Sequence, residues 1–197
     1  MKVTNIKKIR KSLAKTLDED RYIHTIGVAY TATSLAMRYG ASIENAELAG
    51  LLHDCAKCME DDKKLAICEK YNIPVTDVEK RNPFLLHAKI GSFLAMKTYK
   101  VHDTDVINAI LNHTTGRPGM SLLEKIIFVA DYIEPNRKKA PNLAEIRQMA
   151  FIDLDSAVVR ILKDTLDYLE STPGEIDVMT QNTYEFYNEL TQKNLVE

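Results

Sequence analysis

The sequence predicts an all-α fold, a helical bundle of roughly eight to ten helices. Two observations carry this. Apolar residues recur three and four apart in segment after segment, and helix-stop and helix-start residues fall between those segments. A third is negative: no run alternates apolar and polar residues as a half-buried strand would.

The first periodic segments are 6–17 and 22–37, and Tyr39-Gly40 closes the second. Ser42 can cap the next helix, which carries the apolar stretch 46–52. Asn72-Ile73-Pro74 breaks the chain. Asn82-Pro83 restarts it, with proline in the first turn of a helix covering 84–96. A further apolar helix spans 106–111, and Gly116-Arg117-Pro118-Gly119 must be a loop. Ser121-x-x-Glu124 is a capping box ahead of the run 122–133. Pro135 and Pro141 bracket a polar connector, and 152–169 is helical again. Thr172-Pro173-Gly174 then separates a last helix, 175–190, whose apolar contacts are Ile176, Met179, Tyr184, Phe186, Tyr187 and Leu190. The chain reads as one domain, residues 1–197, with the helix from about 175 as an appendage.

Composition excludes several classes. A net charge of -2 over 197 residues offers neither a basic footprint for nucleic acid nor an acidic tail. No apolar run reaches the ~18 residues of a membrane span. The N-terminal residues carry no secretory core, so a cytoplasmic location is expected. Three cysteines are an odd count for a disulfide framework. Cys55-Ala56-Lys57-Cys58 matches C-x-x-C, but it follows a helix, whereas a low-pKa dithiol opens one. Both cysteines read as packing residues.

The chemistry lies in His24, the dyad His53-Asp54, His87, His113 and Asp131. Each sits in or beside a strongly apolar, helix-patterned segment. Singly, a histidine on an apolar face is more often a hydrogen-bonded core residue than a ligand. Asp131 is harder to dismiss, because Ile126-Ile127-Phe128-Val129-Ala130 precedes it and Tyr132-Ile133 follows. One site collecting all of these groups satisfies them together, and its natural occupant is a pair of metal ions. His102, in a polar junction, serves as the contrast and reads as a solvated surface histidine.

The ordered pattern H…HD…H…H…D resembles the HD-domain metal-dependent phosphohydrolase superfamily. A narrower resemblance, to the YqeK family of symmetrical bis(5'-nucleosyl)-tetraphosphatases, rests on five stretches. They are Arg21-Tyr22-Ile23-His24-Thr25-Ile26-Gly27-Val28, Leu51-Leu52-His53-Asp54-Cys55-Ala56-Lys57, Leu86-His87-Ala88-Lys89-Ile90-Gly91, His113-Thr114-Thr115-Gly116-Arg117-Pro118-Gly119-Met120 and Ala130-Asp131-Tyr132-Ile133-Glu134-Pro135-Asn136-Arg137. The resemblance implies two metal centres. His24, His53, Asp54 and Asp131 would hold one ion; His87 and His113, with Asp54 bridging, would hold the second. Iron is the implied metal, and manganese, cobalt or zinc suit the same donors.

It further implies hydrolysis of diadenosine tetraphosphate to two ADP by a hydroxide bridging the ions. Lys57, three residues after Asp54 and four after His53, shares their face on a continuing helical turn and is the candidate donor to a phosphate oxygen. Asp54 and Lys57 thus form the catalytic pair. His113, Thr114, Thr115, Gly116, Arg117 and Arg137 form the candidate substrate-contacting set, with the arginines as phosphate clamps. The partner is a small nucleotide, with no nucleic acid or membrane, and a homodimer is compatible. Three alternatives stay open: another HD nucleotide phosphohydrolase or phosphodiesterase, a di-iron HD oxygenase, and a non-catalytic nucleotide sensor.

Overall fold

A computed structural model of the protein describes residues 5–172 and 177–194. Along the chain run α1 (Ile6–Thr16), α2 (Glu19–Tyr39), α3 (Ile43–Leu52), α4 (Asp61–Tyr71), α5 (Asp77–Arg81), a 3-10 turn (Pro83–Leu86), α6 (His87–Lys97), α7 (Thr104–Leu111), α8 (Leu122–Ile133), α9 (Leu143–Met149), α10 (Leu154–Ser171) and α11 (Val178–Asn194). The described residues contain no strand, so the class is the expected one. Among the described residues eleven α-helices slightly exceed the expected number. The additions, α4, α5 and α9, are charged, with one or two buried residues each, so periodicity gives them little signal. The expected helix over 84–96 divides at His87, with its first turn wound as 3-10.

Most boundaries follow the expected local chemistry. Ser42 caps α3, and Gly40 ends α2 at φ 74°. Both bonds of the Ser121–Glu124 capping box form. A second box, Thr76 with Glu79, opens α5. Asp18 caps α2 by accepting from the Arg21 amide at 2.8 Å, which fixes the helix start just before His24.

The core is organised around α8, packed by α2, α3, α7, α9 and α10. Ile126, Ile127, Phe128, Val129 and Ala130 are all buried, which explains their continuous apolar run. Each such large side chain contributes about 1.5–3 kcal/mol of burial. Helices α2 and α3 approach so closely that a Cβ on Gly50 would lie 2.7 Å from Ala29 Cα. Ala29, Ala32, Ala46 and Ala49 line the same contact and are fully buried. Helix α11 packs on α10, and Tyr187 reaches the main core. Tyr184 and Leu190 pack beside it, whereas Met179 and Phe186 stay about 40% exposed. The expected break at Pro173-Gly174, and the contacts of Glu175 and Ile176, lie outside the described residues.

Arg117, expected as a phosphate clamp, is paired with a buried carboxylate in the structure. Its guanidinium forks onto the buried Glu124, Nε to Oε1 at 2.7 Å and Nη2 to Oε2 at 2.6 Å. Glu124 also accepts from Asn112 Nδ2 and the Ser121 amide. Burial opposes charge on this carboxyl, but Arg117 and the other donors outweigh it, and its pKa falls below the ordinary value. The sequence shows a free cation in a glycine-proline loop; the fold uses it to hold the start of α8. Arg117→Ala should lower the unfolding free energy by roughly 1–3 kcal/mol, because a buried acceptor loses its charged donor. Urea unfolding reads this loss. A raised KM with unchanged stability would return Arg117 to the substrate.

Candidate metal centre

Helix ends bring the predicted ligands together. His24 lies in α2, His53 and Asp54 follow α3, His87 opens α6, His113 follows α7, and Asp131 lies in the last turn of α8. Three of these helices, α3, α7 and α8, point their C-termini at the cluster, where the helix dipole favours cations. His102 is exposed and apart, as expected.

The chain fixes which nitrogen of each ring faces inward. Nδ1 of His53 lies 2.7 Å from the Gly50 carbonyl, Nδ1 of His87 2.8 Å from that of Phe84, and Nδ1 of His113 2.8 Å from that of Ile110. A carbonyl only accepts, so each Nδ1 carries the proton and each Nε2 presents a lone pair to the centre. His24 does the same against a carboxylate, with Nδ1 3.2 Å from Glu134 Oε1.

Asp54 stands between the two halves of the cluster. Its Oδ1 lies 3.4 Å from Nε2 of both His87 and His113. Its Oδ2 lies 3.5 Å from His53 Nε2 and 4.0 Å from His24 Nε2, and accepts from Arg21 Nη1 at 2.8 Å. Asp131 Oδ1 lies 2.9 Å from His24 Nε2 and 3.8 Å from His53 Nε2. Burial opposes charge on Asp131, and the Arg137 guanidinium beside it favours the charged form.

The donor set fits metal ions. His24 Nε2, His53 Nε2 and Asp54 Oδ1 are buried without a hydrogen-bond partner, and the His87 and His113 Nε2 atoms face each other at 3.3 Å. The short His24–Asp131 contact is no exception, since it lacks hydrogen-bond geometry and the Nε2 proton it would need. Lone pairs converging on lone pairs, out of water, are costly unless cations lie among them. Donor atoms of His24, His53 and Asp131 lie within 4.8 Å of one another, as do those of His53, Asp54 and His113. Nitrogen and carboxylate donors without a thiolate suit divalent transition metals.

Lys57 reaches the cluster by a different route from the expected one. Helix α3 stops at Leu52, and tighter turns follow, with the Lys57 amide bonded to the Asp54 carbonyl at 2.9 Å. Lys57 Nζ still lies 3.2 Å from His87 Nε2. Burial lowers its pKa, with Asp54 opposing. Thr114 Oγ1 lies 3.3 Å from Nε2 of both His87 and His113, whereas Thr115 spends its hydroxyl on the Gly116 carbonyl. Gly116 backs onto α11, where an added Cβ would strike Thr183 at 2.8 Å. Arg137 Nη2 pairs with Asp131 Oδ1 at 2.9 Å and lines a cleft of about 450 Å³ with Arg21, His24 and Lys138. Cys55 and Cys58 are free thiols; Cys55 is buried as a packing residue and burial pushes it up to about 12, whereas Cys58 is exposed and donates to Asp18 Oδ2 at 3.1 Å.

Sequence reading gave no role to Arg21 or Glu134. Glu134 is buried and also accepts from the Asn136 amide at 2.7 Å. It fits against His24 because residue 27 is glycine: a Cβ there would collide with Glu134 Oε2. The spacing His24-x-x-Gly27 was the available signal, since it leaves a notch beside the ligand on one helix face.

The fold and this centre define a class, which comparison with known proteins bears out. Residues 21–136 match the HD domain, and the chain belongs to the HD-domain family. Within it, the chain is 44% identical over 153 residues to a Bacillus subtilis protein named symmetrical bis(5'-nucleosyl)-tetraphosphatase, spanning 78% of this chain and 81% of that one. A Staphylococcus aureus protein of the same name is 35% identical over 93% of this chain and 95% of its own. The crystal structure of a "predicted HD superfamily hydrolase involved in NAD metabolism" from Clostridium acetobutylicum superposes with a TM-score of 0.89 at 40% identity, covering 93% and 96% of the two chains.

Two outcomes follow from the geometry. Burial pushes His87 down to about 3, with His113 and Lys57 adding to the effect. As pH falls through ~6.5, the unfolded chain gains a proton that folded His87 refuses. Chelator-treated protein should therefore lose about 1.4 kcal/mol of stability per pH unit from His87 between about pH 6.5 and 3. Urea unfolding of wild type and His87→Gln reads it, and an identical slope in the two proteins would rule it out. Glu134→Gln should weaken metal binding roughly 10–100-fold, the usual effect of disturbing a ligand's own partner. Gly27→Ala should act likewise by displacing Glu134. Wild-type affinity in both variants, by chelator competition, would make Glu134 a brace of its loop alone.

Proposed function

We propose that this chain hydrolyses diadenosine tetraphosphate at the central phosphoanhydride and releases two molecules of ADP. The observation that carries this reading is the double-sided environment of Asp54, with one oxygen toward His87 and His113 and the other toward His53 and His24. The relatives named for this activity, similar over most of their length, support the substrate.

In this reading His24, His53, Asp54 and Asp131 hold one divalent ion, and His87 and His113 hold a second with Asp54 shared. Iron is our assignment, with manganese, cobalt or zinc as alternatives for the same nitrogen and oxygen donors. Bound there, the ions lower the pKa of an attacking water and neutralise charge on the phosphate oxygens.

The chain's own groups do the rest. Arg21, Arg137 and Lys138 line one side of the cleft and draw in the polyphosphate. Lys57 Nζ, beside His87, donates to the phosphate oxygen on which charge builds. Thr114 Oγ1 offers a further donor at the His87–His113 side. The P–O bond at the centre of the tetraphosphate breaks, and the departing ADP keeps the bridging oxygen. Arg137, tied to Asp131 through both its side chain and backbone, is placed to stabilise that leaving diphosphate. No described helix is long and apolar enough to cross a membrane, and three free thiols suit a reducing cytoplasm.

Product analysis in ¹⁸O-labelled water tests the reaction. ADP should be the sole nucleotide product, with label on the terminal phosphate of one of each pair. AMP with ATP would show asymmetric cleavage. Oxygen uptake on an organic substrate, without hydrolysis, would move the protein to the oxygenase class.

A further inference from the structure

Beyond Arg137 the connector after α8 opens into a second groove of about 680 Å³. It shares Asn136, Arg137 and Lys138 with the metal cleft, so the two lie next to each other. Tyr132, the residue after Asp131, forms its inner wall, and Pro141 lies beside it. The outer wall is one face of α10, carrying Asp164, Thr165 and Tyr168.

We propose that this groove binds one nucleoside half of the dinucleotide, with the base against the tyrosine rings and the adjoining phosphates on Lys138 and Lys139. The inference rests on the dinucleotide reading above. Three features of the groove select this occupant over an apolar peptide. Its aromatic walls suit a planar base, whose faces stack on Tyr and Trp rings without demanding a sequence-like register. Its mouth is cationic, with Lys138 and Lys139 exposed and free of ion pairs among the described residues. It also adjoins the cleft proposed above for the polyphosphate, with Arg137 in the lining of both.

The tyrosines differ in how they are held. Tyr132 is anchored, its hydroxyl donating to the Pro141 carbonyl at 3.2 Å, and burial followed by Asp164 pushes its phenol up to about 12, so it stays a neutral ring. Tyr168 is 64% exposed and has no packing role that explains it. Asp164, fixed by Asn142 and Arg160, closes the floor.

The absence of tryptophan from the chain supplies a specific probe. Tyr168→Trp, at an exposed position, puts one indole in the groove of the metal-loaded protein. ADP and diadenosine tetraphosphate should quench its emission saturably, and inorganic tripolyphosphate should not. Tyr168→Ala should raise KM for the dinucleotide about ten-fold, within the range for losing one stacked base. Quenching by adenine nucleotides supports the groove even if the wild type releases no ADP, in which case the reaction alone has been misread. Turnover by Tyr168→Trp without quenching overturns the groove and leaves the reaction standing. Equal quenching by tripolyphosphate overturns the nucleoside assignment, because an anion then suffices.

Discussion

Each of three histidines gives one ring nitrogen to the carbonyl three residues behind it, and the rest of the centre depends on that bond. His53, His87 and His113 reach back to Gly50, Phe84 and Ile110. The local backbone at each helix end thereby sets both tautomer and ring direction, with no help from distant residues. Nε2 is left as the only free donor atom, and the fold has only to bring the helix ends together. Asp54 then meets lone pairs on both sides of its carboxylate, an arrangement that is self-repelling in a dry core and stable around cations.

Close packing is what brings those ends together. Gly50 serves twice, letting α3 touch α2 at Ala29 and offering its carbonyl to His53. Gly27, on the α2 side, leaves the notch through which Glu134 reaches His24. A side chain at either glycine would press on a neighbour next to a candidate ligand: Ala29 of α2 at Gly50, and Glu134 at Gly27. The core that α8 organises and the metal centre at its C-terminal end are one construction.

The six candidate ligands stood out because each places a polar group where its neighbours promise burial, and Asp131 after Ile126–Ala130 is the clearest case. Lys57 was legible by spacing, although the helix that justified the spacing ends at Leu52 and tighter turns carry it inward. Glu134 was not legible as a partner. Between Ile133 and Pro135 it reads as a solvated turn residue, and its bond to His24 spans 110 positions that no local pattern records. Arg21 looks like an ordinary first-turn cation, and its Asp54 partner lies 33 residues away. The pairing of Arg117 was hidden for a related reason: its loop looks solvent-facing, while Glu124, expected only as a capping residue, is buried and pairs with it. Periodicity reports that a side chain is buried; it does not report what it is buried against.

That limit bears on how charge is distributed around the site. Asp54, Asp131 and Glu134 bring carboxylates into or beside the core, while Arg21 and Arg137 each take one oxygen of a metal-facing carboxylate. The arginines thus sit on the boundary between the ligand shell and the open cleft. In the proposed reaction a polyphosphate entering that cleft would compete with Asp54 and Asp131 for the same guanidinium groups. Metal ions held by the histidines would neutralise the carboxylates and free the arginines for the phosphates. On that reading metal binding and substrate binding are linked through these two side chains, and the linkage needs no large movement. It follows from placing each arginine within 3 Å of a carboxylate oxygen and on the wall of the cleft that leads to the centre.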